Sequence, residues 1–195
     1  MKKIVLLLSI LALVLIGCTQ TQCDNTELEQ IKAEYTQLEK FYNNYNKATI
    51  NRLTGITERE NAERNYQLWS LYYDDGYFTD AIPFCENARE YYSLSNKYHQ
   101  TAIQYFENAK KLTNKDYTEL IDAYIDFSSS SIDINWAMYE ACEYFESAAY
   151  KYSQNKIESG HNELEKGNLK IAEHDGLIKQ HNTYVARITV LEEEI

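Results

Sequence analysis

Four cysteines, four histidines and eighteen tyrosines are the side chains in this 195-residue sequence with the most scope for chemistry or recognition. Cys18, Cys23, Cys85 and Cys142 form no C-x-x-C pair of the kind that holds zinc or shuttles electrons. His174 and His181 lie seven positions apart. On a helix that spacing is about 10 Å along the axis, too long for both to hold one ion directly. No G-x-S-x-G, Gly-rich phosphate loop or H-E-x-x-H occurs. Carboxylates are plentiful, but no pair stands apart as a catalytic dyad. These residues predict no enzyme, no metal site and no cofactor. The thiols and the tyrosines are left as the groups to explain.

Cys18 closes the most specific segment of the chain. Met1-Lys2-Lys3 is a short basic start, followed by an almost unbroken apolar run from Ile4 to Ile16. That run is shorter than the roughly 20 residues a permanent membrane span needs, so it has the form of a signal-peptide core. It ends in Leu15-Ile16-Gly17-Cys18, which resembles the lipobox of prokaryotic lipoprotein precursors. The resemblance covers residues 1–18. It implies that residues 1–17 are cleaved and that the Cys18 thiol carries diacylglycerol. Residues 18–25 then form a lipid-attached tether and residues 26–195 a single helical domain. The membrane is a partner through that lipid, and two acyl chains anchor stably without a second membrane element. The expected location is the cell envelope, outside the cytoplasm. Removing Lys2 and Lys3 takes the formal charge from −11 to −13, which makes nucleic acid a poor partner.

With one Pro and six Gly, the composition disfavours many-turned β folds. Apolar residues recur at three and four positions throughout, predicting an all-α chain: an antiparallel bundle of about five helices with long, coiled-coil-like members. Thr26-Glu27-Leu28-Glu29 has the form of a capping box. Behind it Leu28, Ile31, Tyr35, Leu38, Tyr42, Tyr45 and Thr49 make a heptad seam. Gly55 is a plausible stop, and Thr57-Glu58-Arg59-Glu60 a second capping box opening the next helix. Asp74-Asp75-Gly76 marks a turn. A third helix begins near Thr79, with Pro83 expected in its first turn. It carries a seam from Ala81 to Ala109. After a turn at Thr113–Asp116 a fourth seam runs from Tyr117 to Ala149, with a kink plausible in the serine run Ser128–Ser131. The last helix is expected from about His161 to Leu191.

One octapeptide pattern occurs three times, as AIPFCENA at Ala81, AIQYFENA at Ala102 and ACEYFESA at Ala141. Leu68, Tyr72, Gly76, Phe78, Ala81, Cys85 and Ala88 resemble the tetratricopeptide repeat consensus, and Gly160, Gly167, Leu169 and Ala172 are a second partial match. That resemblance implies an irregular, protein-binding helical solenoid. The copies are separated by 21 and then 39 residues, whereas tetratricopeptides recur every ~34. An antiparallel hairpin folded about Asn114 is the alternative. It sets the first octapeptide opposite the third, and Asn96–His99 opposite Ser129–Ile132 as a small polar layer. Cys85 and Cys142, 29 and 28 positions from Asn114, then stand at one height. They are either a disulfide, in a compartment where disulfides persist, or two buried free thiols.

Tyr72, Tyr73, Tyr77, Tyr91, Tyr92, Tyr98 and Tyr105 crowd one region of the sequence. Tyrosine is rigid, amphipathic and favoured at interfaces. These residues either line a binding surface or fill wide helix seams with their hydroxyls reaching water. The expectation is a lipid-anchored helical scaffold engaging an envelope protein. The alternative is a solute- or glycan-binding lipoprotein that uses the tyrosine-rich surface.

Overall fold

The computed structural model describes residues 25–113 and 115–194, and among them are four helices: α1 Asn25–Asp74, α2 Phe78–Lys110, α3 Lys115–Ser153 and α4 Ile157–Glu194. Cys18, Cys23, the expected signal peptide, the start of the expected tether and Asn114 lie outside the described residues. No strand occurs among the described residues. The residues divide into two compact units, one ending at Glu39 and one beginning at Lys40. In the first, Leu28 and Ile31 are half-buried, whereas Tyr35 and Leu38 are 45% and 40% exposed.

In the second unit the four helices pack antiparallel in sequence order. Two of the turns that reverse the chain are built by residues suited to left-handed backbone. Gly76 has φ +80° between α1 and α2, and Asn155 has φ +57° between α3 and α4. Facing helices are pinned at their surfaces by Lys110–Asp122 (2.6 Å), Lys151–Glu163 (2.7 Å) and Lys170–Glu140 (2.7 Å). Such half-exposed pairs set direction more than stability.

Four helices rather than five is the first correction to the sequence reading, and Gly55 is its cause. The helix runs straight through this residue. Thr57 is no cap: its hydroxyl donates to the Leu53 carbonyl at 3.2 Å, within the helix body. A Cβ on Gly55 would lie 2.9 Å from the His99 ring of α2. The glycine is there to let α2 approach, not to stop α1. The seam of α1 is also offset from the expected one. Within the second unit Phe41, Ala48, Gly55, Ala62 and Trp69, every seventh residue, are the buried set. Pro83 sits in the second turn of α2 rather than the first, because that helix begins at Phe78. The serine run leaves α3 unbroken, and α4 begins at Ile157, a turn earlier than expected.

The core has two apolar clusters. One gathers Phe41, Ala102, Phe106, Ile121, Tyr124 and Ile188, with Phe106 stacked on Tyr124 at 5.1 Å. The other gathers Trp69, Ala81, Cys85, Ala88, Ala141, Cys142 and Phe145, with Trp69 stacked on Phe145 at 4.5 Å. The first and third octapeptides are thus two halves of one helix contact, and the middle copy belongs to the other cluster.

In α4, Gly167 lies directly beneath the Phe145 ring, which a Cβ would overlap, while nothing stands within 4 Å of a Cβ on Gly176. Alanine at either position gains roughly 0.5–1 kcal/mol of helix propensity. At Gly167 overpacking costs roughly 1–3 kcal/mol and dominates. Gly167→Ala is therefore expected to lower the urea unfolding midpoint and Gly176→Ala to raise it.

Candidate functional site

Between the two apolar clusters the bundle changes character. Ser95 and His99 of α2 and Ser128, Ser131 and Asn135 of α3 are wholly buried, and Asn96 and His181 nearly so. On α3 the positions 128, 131 and 135 follow the three–four rhythm that faces a neighbour, so polar residues occupy core positions for two turns. Buried polar groups are costly unless paired, and part of this layer is paired. Asn135 donates through Nδ2 to Ser95 Oγ (2.8 Å) and to Asn96 Oδ1 (2.9 Å). Ser95 in turn donates to the Gly55 carbonyl at 2.6 Å, joining α1, α2 and α3. From α4, His181 Nδ1 lies 2.7 Å from Ser130 Oγ. The Ser130 proton is committed to the Phe127 carbonyl at 2.9 Å, so the serine oxygen accepts from Nδ1–H and the tautomer is set.

Both histidines are held neutral. Burial, with Arg59, His181 and Arg52 adding to it, pushes the His99 pKa down to about 3. Burial and then Arg59 push that of His181 down to about 4. The opposition of Asn96–His99 to the serine run agrees with the hairpin register. Arg52, Arg59 and His181 were not read as members of the layer. Their signal was available: Arg52, Gly55 and Arg59 share the seam spacing of α1, displaced from the seam assumed for it.

Cys85 and Cys142 are free, wholly buried thiols within hydrogen-bond reach of each other. Burial and then the neighbouring Cys142 push the Cys85 pKa far up, leaving a thiol with little thiolate character.

The seven tyrosines do not form one surface. Tyr92 is fully buried. Tyr73 packs against Trp69 and Phe78, and Tyr91 against the cluster around Cys85. Tyr105 packs in the other cluster and takes Lys47 over its ring at 5.6 Å. Tyr98 is half-buried. Only Tyr72 and Tyr77 are exposed side by side, 6.4 Å apart, with Phe84 beside Tyr72 at 5.0 Å. His174 sits apart from His181 and meets Asp175 at 3.1 Å. Among the described residues no three His, Cys, Asp or Glu converge as metal ligands.

A second feature lies on the outer face of α2 and α3. Glu86, Arg89, Glu90, Lys97, Tyr139 and Glu146 line a groove of about 600 Å³. Its centre is the Arg89–Glu146 ion pair at 2.6 Å, with the guanidinium 5.0 Å over the Tyr139 ring. An adjoining hollow of about 650 Å³ shares Arg89 and adds Glu143, Tyr144, Tyr150 and Glu163.

The neutral histidines make the fold acid-sensitive in a stated direction. In the unfolded chain each titrates near 6.5, and in the folded chain near 3 and 4. Between those values the unfolded chain binds more protons. Stability is full above about pH 7 and falls by roughly 1.4 kcal/mol per pH unit for each histidine as the pH drops below 6.5. Urea unfolding at pH 7 and pH 5 checks this, and His99→Phe is expected to remove about half of the pH 7-to-5 loss.

No protein-family model, curated protein or solved structure matches this chain.

Proposed function

We propose that this protein is a lipid-anchored extracytoplasmic scaffold that binds another envelope protein through the outer face of α2 and α3. The observation that carries the reading is Leu15-Ile16-Gly17-Cys18 behind a basic start and a short apolar run. An acylated Cys18 requires no membrane span, and no described helix is long and apolar enough to cross a membrane. The α2–α3 groove supplies the binding half of the proposal. Its carboxylates, Glu86, Glu90 and Glu146, outnumber Arg89 and Lys97, and Tyr139 walls it. That chemistry suits a basic segment of a partner protein. The scattered tyrosines offer a glycan no comparable stacking surface.

The test follows both halves in one preparation. Cells expressing the full chain are labelled with radioactive palmitate, and the protein is isolated from detergent-solubilised envelope. Label is expected on wild type and absent from Cys18→Ser; label persisting in that variant contradicts the anchor. A co-isolated protein that is retained by Glu58→Lys but lost by Glu86→Lys with Glu90→Lys supports the groove. One retained by both variants contradicts it.

A further inference from the structure

The hydrogen bonds of the mid-bundle layer leave a remainder, and its chemistry has a sign. From α1, Arg52, Gly55 and Arg59 fall on one face, a turn apart, with Gly55 against the His99 ring. Arg52 Nε and Arg59 Nε and Nη1 are buried without a hydrogen-bond partner. Arg59 approaches Glu63 only to 3.6 Å, an ion pair beyond hydrogen-bond length, and Glu63 is half exposed. The Arg52 guanidinium lies over the Tyr124 and Phe127 rings at 4.6 and 5.4 Å. From α2, Asn96 Nδ2 and both ring nitrogens of His99 are unpartnered. From α3 the same holds for Ser128 Oγ, Ser131 Oγ and Asn135 Oδ1.

The guanidinium and amide N–H groups can only donate. Neutral His99 offers one donor and one acceptor, and each serine hydroxyl turns to do either. Asn135 Oδ1 alone is bound to accept. Water donates as often as it accepts, so water leaves the surplus donors unmatched. The Arg59 side chain, 17% exposed, also turns its charge inward through Nε and Nη1, where water compensates it poorly. An acceptor-only species with negative charge answers both shortages. His99 stays neutral beside Arg59 and Arg52, so the layer's positive charge resides in the two arginines.

We propose that this layer is an internal binding site for a small anion of the inorganic oxyanion, carboxylate or halide class. Arg59 supplies its charge partner, and His99, Asn96, Ser128 and Ser131 its hydrogen bonds; Arg52, held over the Tyr124 and Phe127 rings, adds positive potential from a distance. The site lies inside the bundle, away from the α2–α3 groove, and stands or falls independently of lipidation and of any protein partner. Occupancy would tie the stability of the bundle to the concentration of the anion.

The test uses the full chain in detergent, in a chloride-free zwitterionic buffer at pH 7.5. Inorganic phosphate, acetate and chloride are each added, followed by equilibrium dialysis of the labelled ion and by the thermal midpoint. At least one of the three is expected to bind saturably at one ion per chain and to raise the midpoint with the logarithm of its concentration. Arg59→Gln removes charge-assisted hydrogen bonds and is expected to weaken that binding about tenfold or more. Should Arg59→Gln fail to fold, Ser131→Ala, which removes one neutral hydrogen bond, is expected to weaken binding severalfold. Absence of saturable binding by all three ions overturns the proposal. So does binding that is unchanged in every folded variant of the pair.

Discussion

The hydrogen bonds from Asn135 to Ser95 and Asn96, and from Ser95 to the Gly55 carbonyl, tie three helices at one height. A bundle of long helices with seams of Ala, Tyr and Phe has many near-equivalent alignments, because sliding by one heptad returns apolar to apolar. Polar groups in the middle of such a seam remove that freedom. Any other alignment buries the Asn135 amide against hydrocarbon, at a cost of a few kcal/mol. With this layer aligned, the remaining contacts are already in step. Cys85 meets Cys142, Gly167 meets Phe145 and Phe106 meets Tyr124. The layer thus sacrifices some apolar burial and gains a single register.

Close approach is the other half of the construction. Residues without side-chain bulk stand where several rings cross from a neighbouring helix. Gly55 lies under His99, Gly160 under Tyr152 and Gly167 under Phe145. The alanines of the first and third octapeptides do the same between α2 and α3. Small residues here let aromatic rings from neighbouring helices fill the core, which explains why so many aromatic side chains fit into the bundle. The tyrosines follow the same logic. Tyr45, Tyr66, Tyr73, Tyr92 and Tyr124 are packing residues whose rings fill the seams.

The helical class and the α2–α3 hairpin were legible in the sequence, because both rest on local rhythm and on one turn near Asn114. What escaped depended on partners distant in sequence. Gly55 has the local signature of a helix stop, and its actual role is set by His99. A seam through Tyr42 rather than Phe41 is offset by one residue and hides Arg52 and Arg59 as partly buried members of the layer. Heptad periodicity tolerates such an offset when aromatic residues occupy adjacent positions, as Phe41 and Tyr42 do. The polar layer was partly visible as Asn96–His99 opposite the serine run. Its α4 member, His181, could not be placed without the α3–α4 register. The crowding of seven tyrosines in sequence carried no information about a shared surface, since helical residues a few positions apart point in different directions.

The central claim, that the polar layer holds the helices in register, is tested most directly by a double-mutant cycle between Ser95→Ala and Asn135→Ala. Urea unfolding of the wild type, both single variants and the pair gives their coupling energy. The account predicts a coupling of about 1 kcal/mol or more, as two buried groups in one hydrogen-bonded network require. Additive effects of the two substitutions, with coupling near zero, would contradict it.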